Sequence, residues 1–236
     1  MALSNRWKEL GDSRLASTLR FLEILTSEPE RLTPDEFGCL LANDVSRDAI
    51  VDAVAVCAGF NVINRIADAL AFELPSRFES YIASKYLIRI GYKRLHGLSE
   101  LEAFHRRVEQ QCKLFEEPFF ANSSQNSAVA RRLLDGLSKL VAAVVMGSGS
   151  LDSGTRVAAF KGQKVPAPVK EYVELVHNAA TSITNDHIRA LLFSGLSEDQ
   201  IFEVTVSAAL GAGVRRVESA LSMLAKGRCE TQGSTP

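Results

Sequence analysis

An all-α fold is what this sequence predicts, on three observations. Apolar residues recur at spacings of three and four along most of the chain, and no stretch alternates as a strand would. Residues that begin helices stand in front of those runs, at Asp12, Thr33, Ser46, Thr184 and Ser197. One helix-turn-helix pattern also occurs twice, 151 residues apart and without a gap.

The first helix is expected from Asp12-Ser13, through Leu15, Leu19, Leu22 and Leu25, to an end near Pro29. Leu32-Thr33-Pro34-Asp35-Glu36-Phe37 then predicts a second start. Thr33 is the cap, Pro34 takes the first helical position, Glu36 can reach back to complete a capping box, and Leu32 with Phe37 forms a hydrophobic staple. Asn43-Asp44 breaks this short helix, and Ser46 caps a long apolar one from Arg47 to about Phe72, before Pro75.

The second copy runs through Ile183-Thr184-Asn185-Asp186-His187-Ile188, Leu191-Leu192, Gly195 and Ser197-Glu198-Asp199-Gln200-Ile201. Thr33 matches Thr184, Ser46 matches Ser197, Arg65 matches Arg216, and the staple recurs as Ile183 with Ile188. Between the copies, helices are expected over 76–96, 99–115 and 127–146. The Gly- and Ser-rich segment from Gly147, followed by Val165-Pro166-Ala167-Pro168, reads as a linker. The expected organisation is therefore an N-terminal helical half over 1–146 with the first repeat at about 32–75, a linker over 147–165, and a C-terminal half over 166–236 with the second repeat at about 180–225.

With 236 residues, 46% of them hydrophobic, the chain can bury a full core. A charged fraction of 23% and a net charge of -1 give no basic surplus for nucleic acid. Cys39, Cys57, Cys112 and Cys229 are scattered without a C-x-x-C or matched histidines, so neither a metal site nor a disulfide framework is expected, and no cofactor is implied. The first residues lack the apolar core of a signal peptide. The longest mid-chain apolar stretch, Leu140 to Met146, falls well below the roughly 18 residues of a membrane span. A cytoplasmic protein without membrane or nucleic-acid partners is the expectation.

His187 and Gly195, with the following Leu196-Ser197-Glu198-Asp199-Gln200-Ile201, resemble the end of the core signature of the alkylhydroperoxidase D-like (AhpD-like, carboxymuconolactone decarboxylase) superfamily. Cys57-Ala58-Gly59-Phe60-Asn61-Val62-Ile63-Asn64-Arg65-Ile66-Ala67-Asp68-Ala69-Leu70 resembles the terminal helix of its peroxidase-related branch. The resemblance covers about 32–75 and 165–225 and implies an AhpD-like helical bundle that forms a homo-oligomer. The family's two reactive cysteines would stand at Ala180 and Ile183 in one copy and at Pro29 and Leu32 in the other. No thiol stands there to attack a peroxide or resolve a sulfenic acid, so peroxidase activity by the family's route is not expected.

Several residues can still carry chemistry, each with a plainer reading beside it. The resemblance gives His187 a part in proton transfer, yet three residues after Thr184 it can equally be a helix-start residue. Glu171, with Glu174, could pair with His177 or His187 as acid and base, or belong to a solvated face with Lys170. Asn61, Asn64, Arg65 and Asp68 form a polar stripe on an apolar helix, readable as an anionic-ligand pocket or as an ion-pair network, with Arg216 the counterpart of Arg65. Cys57 could be a relocated reactive thiol with Cys39 near it; Ala208 and Ala190 at the matching positions favour plain packing. The leading expectation is an oligomeric binding or scaffold protein, with a small-molecule ligand, that keeps the fold without the thiol chemistry. The alternatives are a thiol-independent decarboxylase-like enzyme using His187, Glu171 and Arg216, and a peroxidase with a relocated cysteine.

Overall fold

A computed structural model describes residues 11–72, 76, 85, 128–167 and 169–226. Among them the fold is all-α, with eight helices and no strand. They are α1 (Ser13–Ser27), α2 (Pro34–Ala42), α3 (Arg47–Ala69), α4 (Ala128–Val141), α5 (Ser153–Lys161), α6 (Val169–Asn178), α7 (Asn185–Phe193) and α8 (Glu198–Lys226). Single 3-10 turns precede α2 and α7, and a π-turn, Ala142–Met146, follows α4. Apart from Ser76 and Lys85, the helices expected over 76–96 and 99–115, with Cys112 and Cys229, lie outside the described residues.

The caps do most of what their side chains allow. Asp12 accepts from the N–H of Arg14 and Leu15 at 2.9 and 3.2 Å, and Ser46 accepts from that of Ala49 at 3.2 Å. The Thr33 capping box does not form. Thr33 makes no side-chain cap bond, and Glu36 is taken instead by Arg20 of α1 at 3.1 Å. The staple residues Leu32 and Phe37 are both buried in one core. On α1 the buried residues are Phe21 and Leu25, whereas Leu15 and Leu19 stay largely exposed. α3 ends at Ala69, before the expected Phe72, and Ala71 turns the chain with φ 50°.

The boundaries of the second unit repeat those of the first 151 residues on: Pro29–Arg31 and Ala180–Ser182, Pro34–Ala42 and Asn185–Phe193, Arg47 and Glu198. The turn into each long helix needs one residue with left-handed backbone. It is Asp44 at φ 59° in the first and Gly195 at φ 96° in the second, which gives that glycine a conformational reason.

α3 and α8 run antiparallel, since Arg47 at the start of α3 donates to the carbonyl of Leu224 near the end of α8 at 3.3 Å. Each finishes the other's core. Val217, Leu221 and Leu224 of α8 join Phe21, Phe37, Ile50 and Val54, while Ala69 of α3 joins Tyr172, Leu191, Ile201 and Val204. A third cluster sets Phe160 of α5 against Val141, Val145, Leu210 and Val214. The close approach depends on glycine: a Cβ on Gly211 would lie 1.8 Å from the Phe160 carbonyl oxygen, and one on Gly213 would lie 2.6 Å from Val62 Cγ2.

The segment 147–165, expected as a linker, carries α5 and is packed into the body. Asp152 caps α5 by accepting from the N–H of Thr155 at 2.9 Å, and Gly162 closes it at φ 64°. Arg156, only 3% exposed, donates to the carbonyls of Val144, at 3.1 Å, and Gly147. Glu203 of α8 accepts from the N–H of Ser150 and Leu151 at 2.7 and 2.8 Å. Those bonds satisfy the irregular backbone after the π-turn.

α3 is also long and apolar enough, by length and composition, to match a membrane span. Here one of its sides carries the buried Ile50, Val51, Val54, Cys57, Ala58 and Asn61.

Candidate functional site

The polar stripe of α3 splits. Asn61 is buried and Arg65 half-buried, while Asn64 and Asp68 are exposed. Asn61 Nδ2 donates to the Cys57 carbonyl at 3.0 Å and lies 3.3 Å from both Cys57 Sγ and Thr26 Oγ1. Its Oδ1 accepts from Arg65 at 2.7 Å. The Cys57 thiol is itself 3.2 Å from the Thr26 hydroxyl, enclosed between α1 and α3. Cys39 is exposed on α2, and both thiols are free. Arg216 reaches back to the first unit and donates through Nε and Nη2 to the Thr26 carbonyl, at 3.3 and 3.1 Å.

His187 sits at the third position of α7, where Nδ1 accepts from the Thr184 backbone N–H at 3.0 Å and lies 2.8 Å from its hydroxyl. It closes a capping box there, in the place that Glu36 leaves empty in the first unit. Glu171 is exposed on α6, and neither it nor His187 lines the cleft described next.

A cleft of about 560 Å³ opens between the end of α5, one side of α6 from Lys170 to Asn178, and the middle of α8. Lys161, Lys164, Lys170 and Arg215 stand around it, and the one carboxylate in its wall, Glu174, lies 3.8 Å from Lys170. At its inner end is His177, 6% exposed. Nε2 is 2.7 Å from the Ala159 carbonyl, which can only accept, so Nε2 carries the proton. Nδ1 is then the acceptor for Arg215 Nη2 at 2.5 Å, and Arg215 Nη1 points to the Phe160 carbonyl at 3.4 Å. The Ala159 and Phe160 carbonyls near the end of α5 thereby gain side-chain donors, and Arg215 is held at a fixed angle with further N–H groups unused.

Burial first, then the charges of Arg216 and Arg215, lower Arg65 to about 10, with Asp68 opposing. Arg215 and Arg216 are lowered too, by burial foremost. Among the described residues none of the three arginines has a carboxylate within ion-pair distance, and Arg65 Nε is buried without a hydrogen-bond partner. Three guanidiniums thus sit within each other's fields, offset in part by Asp68 at Arg65 and by Glu218 at Arg215.

Burial, followed by the charge of Arg215, pushes His177 down to about 4, against the pull of the Ala159 carbonyl. It is neutral at pH 7 and serves as an acceptor that positions Arg215. Its folded value lies below the ordinary 6.5 of the unfolded chain, so its contribution to stability is complete above pH 6.5 and is lost as the pH falls toward 4. The full loss is on the order of 3 kcal/mol. Urea unfolding at pH 7 and pH 5 is expected to cost the native protein about 2 kcal/mol more than His177→Gln, and equal losses would refute this role.

Sequence reasoning named Arg65, Arg216 and His177, set His177 beside Glu171 and Glu174 rather than Arg215, and gave no part to Arg215, Lys161 or Lys164. The available signal was Arg215-Arg216 itself, a charged pair interrupting the small apolar run Ala208 to Val214 and followed by Val217. No family model, curated protein or solved structure matches the chain at a significant level. Among the described residues no group of histidine, cysteine, aspartate or glutamate has the arrangement to hold a metal ion.

Proposed function

We propose that this protein binds a small anionic molecule in the cleft between α5, α6 and α8, with Arg215 as anchor, and acts as a binding protein rather than a thiol peroxidase. The observation that carries the reading is the convergence of Lys161, Lys164, Lys170 and Arg215 around a single carboxylate, in a chain whose net charge is -1. The cleft volume lies in the range of small-molecule sites. Arg215, already fixed by His177 and Phe160, loses little freedom when a ligand takes its remaining donors.

The resemblance to the AhpD-like superfamily is compatible with this reading, because the positions of the family's cysteines hold Ala180, Ile183, Pro29 and Leu32, none of them able to do thiol chemistry. The homo-oligomer it implies would have a surface on the outer face of α3, where Val56, Phe60 and Ile63 lie one turn apart and are exposed.

Calorimetric titration with inorganic phosphate tests the reading. The native protein is expected to bind with a Kd of about 0.1–1 mM. Arg215→Met should weaken binding by about ten- to a hundredfold, the worth of a charge-assisted fork, and Arg215→Lys should recover only part. Unchanged affinity in Arg215→Met would remove Arg215 from the site, and absence of binding to the native protein would end the proposal.

A further inference from the structure

The geometry points to a ligand bearing two linked phosphoryl groups, a diphosphate ester or pyrophosphate-like anion, rather than a carboxylate. This rests on the reading of the cleft as an anion site and concerns which anion it takes. The cations come from four separate places: Lys161 ends α5, Lys164 follows in the loop, Lys170 lies in the first turn of α6, and Arg215 stands on α8 opposite them. Against Glu174 in the wall and Glu218 beside Arg215 this leaves two formal positive charges in excess. One carboxylate would answer one of them and could engage the arginine fork alone. A diphosphate carries charge on two centres, so one can meet the planar fork of Arg215 while the other meets the lysine ammoniums, which act as point charges without a directional demand.

The shape of the wall agrees. Gly162, at φ 64°, brings bare backbone to the place where a Cβ would be 3.4 Å from Arg215 Nη1 and 3.7 Å from His177 Nε2. The wall beside the guanidinium is therefore free of side chain between Lys161 and Gln163. A polymer is the weaker candidate, because the basic groups are confined to one cleft of about 560 Å³ on a chain with a net charge of -1.

The test is titration of the intact protein with pyrophosphate, phosphate and acetate at one ionic strength. Pyrophosphate is expected to bind about tenfold more tightly than phosphate, and acetate more weakly than either. In Lys161→Gln/Lys164→Gln the preference should shrink to about equal affinity while phosphate is still bound through Arg215. Acetate binding as tight as pyrophosphate, or a preference untouched in the double variant, would overturn the diphosphate assignment and leave an anion site standing. No binding of any of the three would instead overturn the reading on which it rests. Binding of an oligonucleotide or of anionic vesicles without pyrophosphate binding would assign the cleft to a polyanion and likewise overturn it.

Discussion

Gly211→Ala is expected to destabilise the protein by about 3 kcal/mol or more, because the added methyl group meets backbone that cannot turn aside. The new carbon would lie 1.8 Å from the Phe160 carbonyl oxygen and 2.7 Å from its carbon, so α5 must move off α8 as a body. With it would go the burial of Phe160 against Val141, Val145, Leu210 and Val214. Because Phe160 and Ala159 supply the carbonyls that fix Arg215 and His177, the variant should lose anion affinity as well as stability. Gly59→Ala is the control. It lies inside α3 with nothing within 4 Å of the added carbon and should stabilise by about 0.5–1 kcal/mol through helix propensity alone. Urea unfolding of the two variants measures both, and a loss below about 0.5 kcal/mol in Gly211→Ala would contradict the packing described.

Arg156→Ala is expected to cost about 3–5 kcal/mol, the range for removing one member of a buried charged network. Its guanidinium supplies donors to the Val144 and Gly147 carbonyls, which sit at the end of a π-turn with few other ways of being satisfied. The contact with Glu203 contributes less. The Nε to Oε2 distance is 3.9 Å, and Glu203 keeps its two bonds from the Ser150 and Leu151 N–H groups without Arg156. Glu203→Gln should therefore cost less than Arg156→Ala, by at least about 1 kcal/mol. If Glu203→Gln proved the more damaging, the ion pair and not the carbonyl bonds would hold the 147–152 turn to α8.

What the sequence made legible was local. Ser46 and Asp12 cap as their chemistry demands, Asn43-Asp44 and Gly195 turn the chain because one residue there must take a positive φ, and His187 has the helix-start role that its spacing from Thr184 suggested. The failures were cases in which a distant residue won. Glu36 could reach its own cap, but Arg20 offers it a charged partner from another helix. The stretch from Gly147 looked like a flexible linker because its glycines and serines surround only nine helical residues; Asp152 and Gly162 were its start and stop signals. Asn61, Asn64, Arg65 and Asp68 do share a face, but the edge of the core runs through that face, so Asn61 and Arg65 turn inward and the other two meet solvent. The cleft was not legible at all. His177 and Arg215 belong to different helices 38 residues apart, and only the packing of α5 and α6 on α8 brings them together.

The most direct measurement is nuclear magnetic resonance of the arginine Nε–Hε groups during a phosphate titration, with buried Arg156 as internal reference. A saturable displacement of the Arg215 signal, with Arg156 unmoved, is the expected result. No displacement of Arg215, or one shared equally with Arg156, would contradict an anion site anchored on this residue.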